Sequence, residues 1–290
     1  MLSTLRQARA AISHLSPNDI RNRAARPLRV GLIAASDSGY AAMEKTLVPP
    51  QASRDERAAA RGLMFRGGDP QAPSSVDLVL YEQGLRAPGG AYVLYADELG
   101  SSLADILADH PDYELPLARE FPGLRRAVTD RITQAIAREN ALFAVATALP
   151  DVIPNMVELP WVFGEWASDT AFLTANQVRM AFLIAAACGE DIGFGAQKGQ
   201  LLTIALGAFG WRAIARELAG KIPFGGGLVA KGAIAYAGTV LVGKGLEYLH
   251  REEVNFPHEM RRQTYRDALD KGREFTQNWL KKLPRKKPAA

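Results

Sequence analysis

The hydrophobic pattern of the chain changes its period near residue 115, and this change constrains the fold more than any other feature. Before it lie two runs typical of strands, 28–35 and 76–82, with a weaker one at 91–96. Clusters of Gly, Pro and Ser separate these runs and favour turns. After residue 115 the strand signals stop and the apolar residues recur at helical spacing. The sequence therefore predicts an α/β N-terminal domain followed by a mostly α-helical C-terminal module.

The second part of the chain contains several segments with a helical pattern. A long one, 121–147, ends before Pro150, Pro154 and Pro160, which interrupt helices and favour an extended connector. Ser168 or Asp169 can cap the next helix, because a short polar side chain accepts hydrogen bonds from the first free N–H groups. The predicted helices after the connector are 168–187, 201–219 and 228–249.

Three consecutive glycines separate the last two of these helices. Gly225, Gly226 and Gly227 permit a tight reversal that β-carbons would obstruct, so we expect a Gly-rich helical hairpin. In its second arm a stripe of small residues recurs at intervals of three and four, which lets another helix approach closely. The stripe residues are Gly232, Ala235, Thr239 and Gly243.

Small-residue stripes occur between helices in bilayers and in ordinary helical cores, so the hairpin has three interpretations. The stretch 225–243 is 19 residues long with one charge, Lys231, against the about 20 apolar residues that a spanning helix needs. The first arm carries Arg212, Arg216 and Glu217. A core without membrane contact, a shallow or re-entrant membrane hairpin and a two-pass span all remain open.

The run 30–45 has the order strand, turn, helix start, which is where a phosphate-binding loop would lie. Against the pattern G-x-x-x-x-G-K-[ST], Ala34 replaces the first glycine and Gly39 matches the second. Tyr40 replaces the lysine and Ala41 the hydroxyl residue, so phosphate and magnesium lose their usual partners. The loop, with Ala34, Ser38, Gly39 and Tyr40 as its candidate residues, is an ordinary connection, a degenerate remnant of a nucleotide-binding domain, or a weak nucleotide site.

Other catalytic patterns are absent from the sequence. The four histidines, His14, His110, His250 and His258, are scattered without metal-ligand spacing or a neighbouring nucleophile pattern. The single cysteine, Cys188, lies in an apolar run and cannot form an internal disulfide, which fits a reducing compartment. We therefore predict no catalytic residue, no metal and no cofactor.

The positive charge is concentrated at the two ends of the chain. Such ends are solvated tails or anchors for anionic lipid headgroups or nucleic acid. We expect an anionic membrane surface as a partner and no specific nucleic acid. The basic residues are Arg6, Arg9, Arg21, Arg23, Arg26 and Arg29 at one end and Lys281, Lys282, Arg285, Lys286 and Lys287 at the other.

These patterns divide the chain into five predicted segments. A basic segment, 1–27, precedes a small α/β domain, 28–115, for which a degenerate nucleotide-binding type is one of the alternatives. A long helix and Pro-rich connector occupy 116–164, followed by a helical domain at 165–250. The last segment, 251–290, is a C-terminal helix with a basic tail.

Three stretches of the helical part, 169–184, 208–218 and 221–227, resemble the bacterial YcjF-like family of domains of unknown function. Domains of this family are often fused to small GTPase domains or found beside them, and some members are membrane proteins. The resemblance implies no reaction and no catalytic residues. It does imply a link to small GTPases and a degenerate P-loop domain at 28–115. We therefore expect either a small GTPase as a partner or self-association through the helical hairpin.

Together these features predict a non-enzymatic, membrane-associated scaffold or accessory protein linked to GTPases. We expect it in the cytoplasm, at the cytoplasmic face of the inner membrane. Two alternatives remain: a soluble helical interaction protein, and a weak nucleotide-binding hydrolase with a non-standard P-loop.

Overall fold

A computed structural model describes residues 16–147, 169–201, 227–252 and 256–282. These residues form two compact units. The first, here the α/β unit, comprises 17–131 and 182–196; the second, the helical unit, contains the other described residues from 132 onward.

The α/β unit is built on four short strands with helices between them. Its elements are α1 (Pro17–Ala24), β1 (Val30–Ile33), α2 (Asp37–Leu47), α3 (Arg54–Arg61), β2 (Met64–Arg66), β3 (Leu78–Glu82), β4 (Tyr92–Leu94), α4 (Leu99–Asp109), a 3₁₀ turn (Pro111–Tyr113), α5 (Glu114–Glu120) and a second 3₁₀ turn (Pro122–Leu124).

The four strands form one parallel sheet in the order β2-β1-β3-β4. In the register of the central pairs, Val30 lies beside Met64 on one side and Leu78 on the other. On β3 the inward side chains Leu78 and Leu80 are buried and alternate with partly exposed neighbours. Because the chain leaves β1 to one side for β2 and returns to its other side for β3, the order reverses between β1 and β3.

The helical unit is built from long helices. Two of them, α6 (Arg125–Ala146) and α7 (Asp169–Ala187), begin or end in the α/β unit's range and have most of their length here. The other two are α8 (Gly227–Glu252) and α9 (His258–Lys282).

Helices α8 and α9 form an antiparallel pair, called here the α8–α9 hairpin. Gly232 lies against Thr276, and Gly272 lies against Tyr236, where close approach leaves no room for a β-carbon. Near the other end, the Tyr248 hydroxyl lies 3.5 Å from the Met260 sulfur. All three pairs share one register, so the two helices stay aligned along most of their length.

The mixed α/β N-terminal part and the helical C-terminal part are both present, as predicted. The predicted strands are shorter in the structure, and β2 was not predicted. The long helix predicted at 121–147 spans Arg125–Ala146, after a 3₁₀ turn that begins at Pro122. The helices predicted at 168–187 and 228–249 span Asp169–Ala187 and Gly227–Glu252.

The predicted first arm, 201–219, lies outside the described residues except for Leu201, as do Gly225 and Gly226. The Gly-rich helical hairpin therefore stays a prediction. Gly227 is the exposed first residue of α8. In the parts of the chain that the structure describes, no helix combines the length and the apolar composition needed to cross a membrane.

Candidate functional site

The loop after β1 lies at the position where open parallel sheets bind their ligands. In such sheets the binding crevice is outside the carboxyl ends of the strands, at the point where the strand order reverses. Here that point lies between β1 and β3. The candidate residues Ala34, Ser38, Gly39 and Tyr40 follow β1 directly, so the structure places all four at this edge of the sheet.

Helix α2 begins in this loop with its own side-chain cap. Ser36 has extended backbone angles, and its hydroxyl accepts a hydrogen bond from the N–H of Gly39 at 3.1 Å. The exposed Ser38 hydroxyl lies 2.9 Å from the same Ser36 oxygen. One of the free N–H groups at the start of α2 is thus already used within the loop.

A carboxylate from the neighbouring strand occupies the same place. Glu82, the last residue of β3, accepts a hydrogen bond from the N–H of Ala35 at 2.8 Å. A β-carbon on Gly39 would collide with both carboxylate oxygens of Glu82. The absence of a side chain at Gly39 therefore makes room for Glu82. A negative side chain at a helix N-terminus is favourable, and it repels a second anion brought to the same amides.

The last residue of β2 covers the other side of the loop. The Arg66 guanidinium forms an ion pair with Asp37 and lies over the Tyr40 ring, 5.4 Å from its centroid. Burial, with a smaller contribution from the Glu44 carboxylate, raises the pKa of the Tyr40 hydroxyl. Tyr40 therefore stays protonated at neutral pH and supplies aromatic surface for Arg66 in place of the missing lysine charge.

Neither Glu82 nor Arg66 was predicted from the sequence. Each is the last residue of a strand that pairs with β1, and parallel pairing brings all three carboxyl ends to one edge. The sequence feature that could have indicated Glu82 is its position as an acidic residue at the end of the apolar run 76–82. Arg66 stands before a Gly-Gly pair, in a stretch whose composition is typical of a loop.

The small-residue stripe of α8 lies inside the helical unit. A β-carbon on Gly232 would lie 2.5 Å from the Thr276 hydroxyl oxygen of α9 and 3.0 Å from a methyl group of Val145 of α6. At Gly243 a side chain would collide with Thr133 of α6. These two glycines therefore allow α6 and α9 to approach α8.

The other stripe residues are also buried. Thr239 donates from its hydroxyl to the Ala235 carbonyl oxygen at 2.8 Å and accepts from Asn140 of α6 at 2.8 Å. Asn176 of α7 donates to the Asn140 side-chain oxygen at 2.9 Å. Three helices are thus joined by buried, hydrogen-bonded polar side chains, an arrangement that fixes their register.

The described histidines and carboxylates are dispersed. His110 is the C-cap residue that follows α4, and it stacks on Tyr113 with ring centroids 4.8 Å apart. Nearby, burial and the hydrogen bond to Asp109 raise the pKa of Tyr92 to about 12. Among the described residues, no three His, Cys, Asp or Glu side chains lie close enough together to hold a metal ion.

Comparison of the chain with protein-family models, curated proteins and solved structures gave no match. The resemblance to the YcjF-like family therefore rests on the three quoted stretches alone. All of the second stretch, and all of the third except Gly227, lie outside the described residues.

Proposed function

We propose that this chain is a non-enzymatic scaffold or accessory protein, linked to small GTPases, that works at an anionic membrane surface. The α/β unit serves as a rigid platform without nucleotide turnover. The link to GTPases depends on the resemblance of the helical stretches to the YcjF-like family.

The Glu82 carboxylate is the observation that carries the non-enzymatic part of the proposal. It accepts the Ala35 N–H at the start of α2, where a phosphate-binding loop would hold its phosphate. A nucleotide phosphate would have to displace this carboxylate and would meet no lysine, because Tyr40 stands at that position. Both effects weaken phosphate binding.

The membrane part of the proposal depends on charge. After Glu274 the sequence contains five basic residues and no acidic one, and Lys281 and Lys282 are exposed at the end of α9. Basic residues near an anionic membrane surface each contribute about 1 kcal/mol to binding. The stripe on α8 gives no support to a bilayer contact, because Gly232 and Gly243 contact other helices of the same unit.

Calorimetric titration of the purified chain with GTP and with ATP, each with magnesium, tests the non-enzymatic part. We expect no binding heat up to millimolar nucleotide and no release of phosphate above the buffer rate. Saturable binding together with turnover would make the chain a hydrolase with a non-standard loop, and the proposal would be wrong.

The internal packing of the stripe favours a second candidate, a soluble helical interaction protein. This candidate predicts a monodisperse chain in detergent-free buffer that leaves anionic vesicles unbound. Sedimentation of the chain with vesicles that contain phosphatidylserine separates the two candidates.

A further inference from the structure

The α8–α9 hairpin has an open end, formed by the first turn of α8 and the last turns of α9. The register that pairs Gly232 with Thr276 and Tyr236 with Gly272 continues toward this end. It brings Val229 level with Trp279 and Leu228 level with Leu280. Side chains of both helices therefore form the open end.

The centre of the open end is apolar and only half-buried. The buried side of α9 runs through Leu269, Gly272 and Thr276, and its next positions at helical spacing are Trp279 and Leu280. These two side chains are partly exposed, as are Leu228 and Val229 of α8. The apolar face of the hairpin therefore extends beyond its buried part, and its last residues are partly exposed.

Lysines lie next to these apolar residues in the sequence of both helices. Lys231, Lys281 and Lys282 are exposed, and the first turn of α8 contains no acidic residue. Beyond α9 the sequence adds Arg285, Lys286 and Lys287 without a carboxylate. We call Leu228, Val229, Lys231, Trp279, Lys281 and Lys282 the end patch.

We propose that the end patch docks on an anionic phospholipid surface, with Trp279 at the level of the headgroups and the lysines on the phosphates. This inference rests on the proposed membrane function and names the surface that performs it. Tryptophan favours the boundary between headgroups and acyl chains, because its ring is apolar and its N–H is polar. Lysine stems lie along apolar surface while their ammonium groups reach the anionic phosphates.

The charge requirement is tested with two matched double variants of the full chain. Lys281→Gln/Lys282→Gln removes two charges from the end patch, and Arg266→Gln/Lys271→Gln removes two exposed charges from elsewhere on α9. Binding is measured by sedimentation with vesicles of phosphatidylcholine and phosphatidylserine. We expect the first variant to bind about 25-fold more weakly and the second to stay within about threefold of the unchanged chain. Equal losses in both would overturn the end patch as the docking surface.

The apolar requirement is tested by the fluorescence of Trp279. Vesicles that contain brominated phosphatidylcholine quench tryptophans at the depth of the bromine. We expect quenching in the unchanged chain and its loss in Trp279→Phe, which keeps an aromatic ring for packing. Unchanged quenching in Trp279→Phe would assign the lipid contact to another tryptophan and contradict the proposal.

Two further outcomes separate this inference from the proposed function. If the chain binds vesicles but both double variants bind like the unchanged chain, the membrane function stands and the end patch is wrong. If the chain ignores vesicles and binds a DNA duplex through Lys281 and Lys282, both the membrane function and the lipid proposal are wrong. The nucleotide titration is independent of either outcome.

Discussion

The carboxylate of Glu82 lies beside the start of α2 and accepts the N–H of Ala35, the residue before the N-cap Ser36, at 2.8 Å. A hydrogen bond to a charged acceptor is stronger than one between neutral groups, and here the helix dipole adds to it. Glu82 therefore joins the end of β3 to the start of α2, and its charge stabilises the loop between β1 and α2.

We expect Glu82→Ala to lower the free energy of unfolding by about 1–3 kcal/mol, because the Ala35 N–H loses its charged partner. Asp97→Ala, which removes an exposed carboxylate from the same edge of the sheet, serves as the control and should change it by less than about 0.5 kcal/mol. Melting temperatures in phosphate and in chloride provide a second measurement. Phosphate should restore stability to Glu82→Ala more than to the unchanged chain, since the anion can take the vacated place. An identical response of the two proteins would contradict this account.

Two buried hydroxyls of the helical unit differ in their partners. Among the described residues the Tyr265 hydroxyl has no hydrogen-bond partner, and burial raises its pKa to about 12. The Thr239 hydroxyl has two partners, the Ala235 carbonyl oxygen and the Asn140 amide. Burying a polar group costs free energy unless a hydrogen bond compensates.

Deleting these hydroxyls should therefore have opposite effects. We expect Tyr265→Phe to leave stability unchanged or raise it, since it removes an unsatisfied polar atom from an apolar cluster. Thr239→Val should cost about 1–3 kcal/mol, because it leaves Asn140 with an unpaired donor. Urea denaturation followed by circular dichroism measures both. A loss for Tyr265→Phe as large as that for Thr239→Val would mean that Tyr265 has a partner in solution.

Glu56 makes the stability of the α/β unit depend on pH. Burial alone would raise the pKa of its carboxyl, but hydrogen bonds from Ser53 and the charge of Arg125 hold it below the ordinary value of 4.5. A lowered pKa in the folded state means that Glu56 takes up its proton at a lower pH in the folded protein than in the unfolded chain. The stabilisation is thus complete above pH 4.5 and is lost as the pH falls from there through the lowered value.

Glu56→Gln should remove this part of the acid sensitivity. We expect the unchanged chain to lose stability more steeply than the variant below pH 4.5, and the two slopes to be equal near neutrality. Asp55→Asn, an exposed neighbour in the same turn of α3, is the control. Melting temperatures measured across this acid range provide the comparison, and parallel curves for all three proteins would exclude Glu56 as the cause.

At the scale of the elements, α8 depends on the absence of side chains at two positions. Gly243 lies against Thr133, a short branched side chain fixed on α6 that cannot move aside easily. The helix propensity of alanine exceeds that of glycine by about 1 kcal/mol, but overpacking costs about 1–3 kcal/mol. The net effect depends on how far α6 and α8 can separate.

We expect Gly243→Ala to destabilise the helical unit by about 1–2 kcal/mol, since its new methyl group collides with Thr133. Gly227→Ala, at the exposed start of α8 where an added β-carbon would meet no described residue outside its own turn of helix, should be neutral within about 0.5 kcal/mol. Adding Thr133→Ala to Gly243→Ala should recover part of the loss, and a double-mutant cycle measures this recovery. Additive effects of the two substitutions would show that the residues do not interact.

The helices and strands that could be predicted from the sequence are those whose hydrophobic pattern extends over many residues. The helices 169–187 and 227–252 follow from apolar residues recurring over many turns. β2 was missed because Met64–Arg66 has only three residues and lies between nearby glycines. The contact of Glu82 with the loop could not be predicted from the loop pattern. Glu82 is far from the loop in the sequence, and only the pairing of β3 with β1 brings the two together.

At the scale of the whole molecule, the charge is unevenly divided. The α/β unit contains 14 arginines and lysines and 18 aspartates and glutamates, although the chain as a whole has a net charge of +4. The positive charge is therefore concentrated in the rest of the chain. An anionic surface attracts that part and repels the α/β unit.

Binding to anionic vesicles should accordingly depend strongly on salt. Because the Debye length falls from about 10 Å at 0.1 M to about 3 Å at 1 M, we expect most of the bound chain to be released over this range. The melting temperature, measured at the same salt concentrations, should change little. Binding that survives at the highest salt would mean that apolar insertion dominates over charge.

The shared register of the α8–α9 hairpin also limits which insertions and deletions the two helices can accept. One inserted residue in α8 would turn everything beyond it by about 100° around the helix axis. An insertion between Gly232 and Gly243 would therefore turn one of them away from its neighbouring helix. Insertions and deletions should be rejected within the two helices, except those of about seven residues, which restore the angular position of each side chain around the axis. A deletion scan read out by expression level would map this tolerance residue by residue.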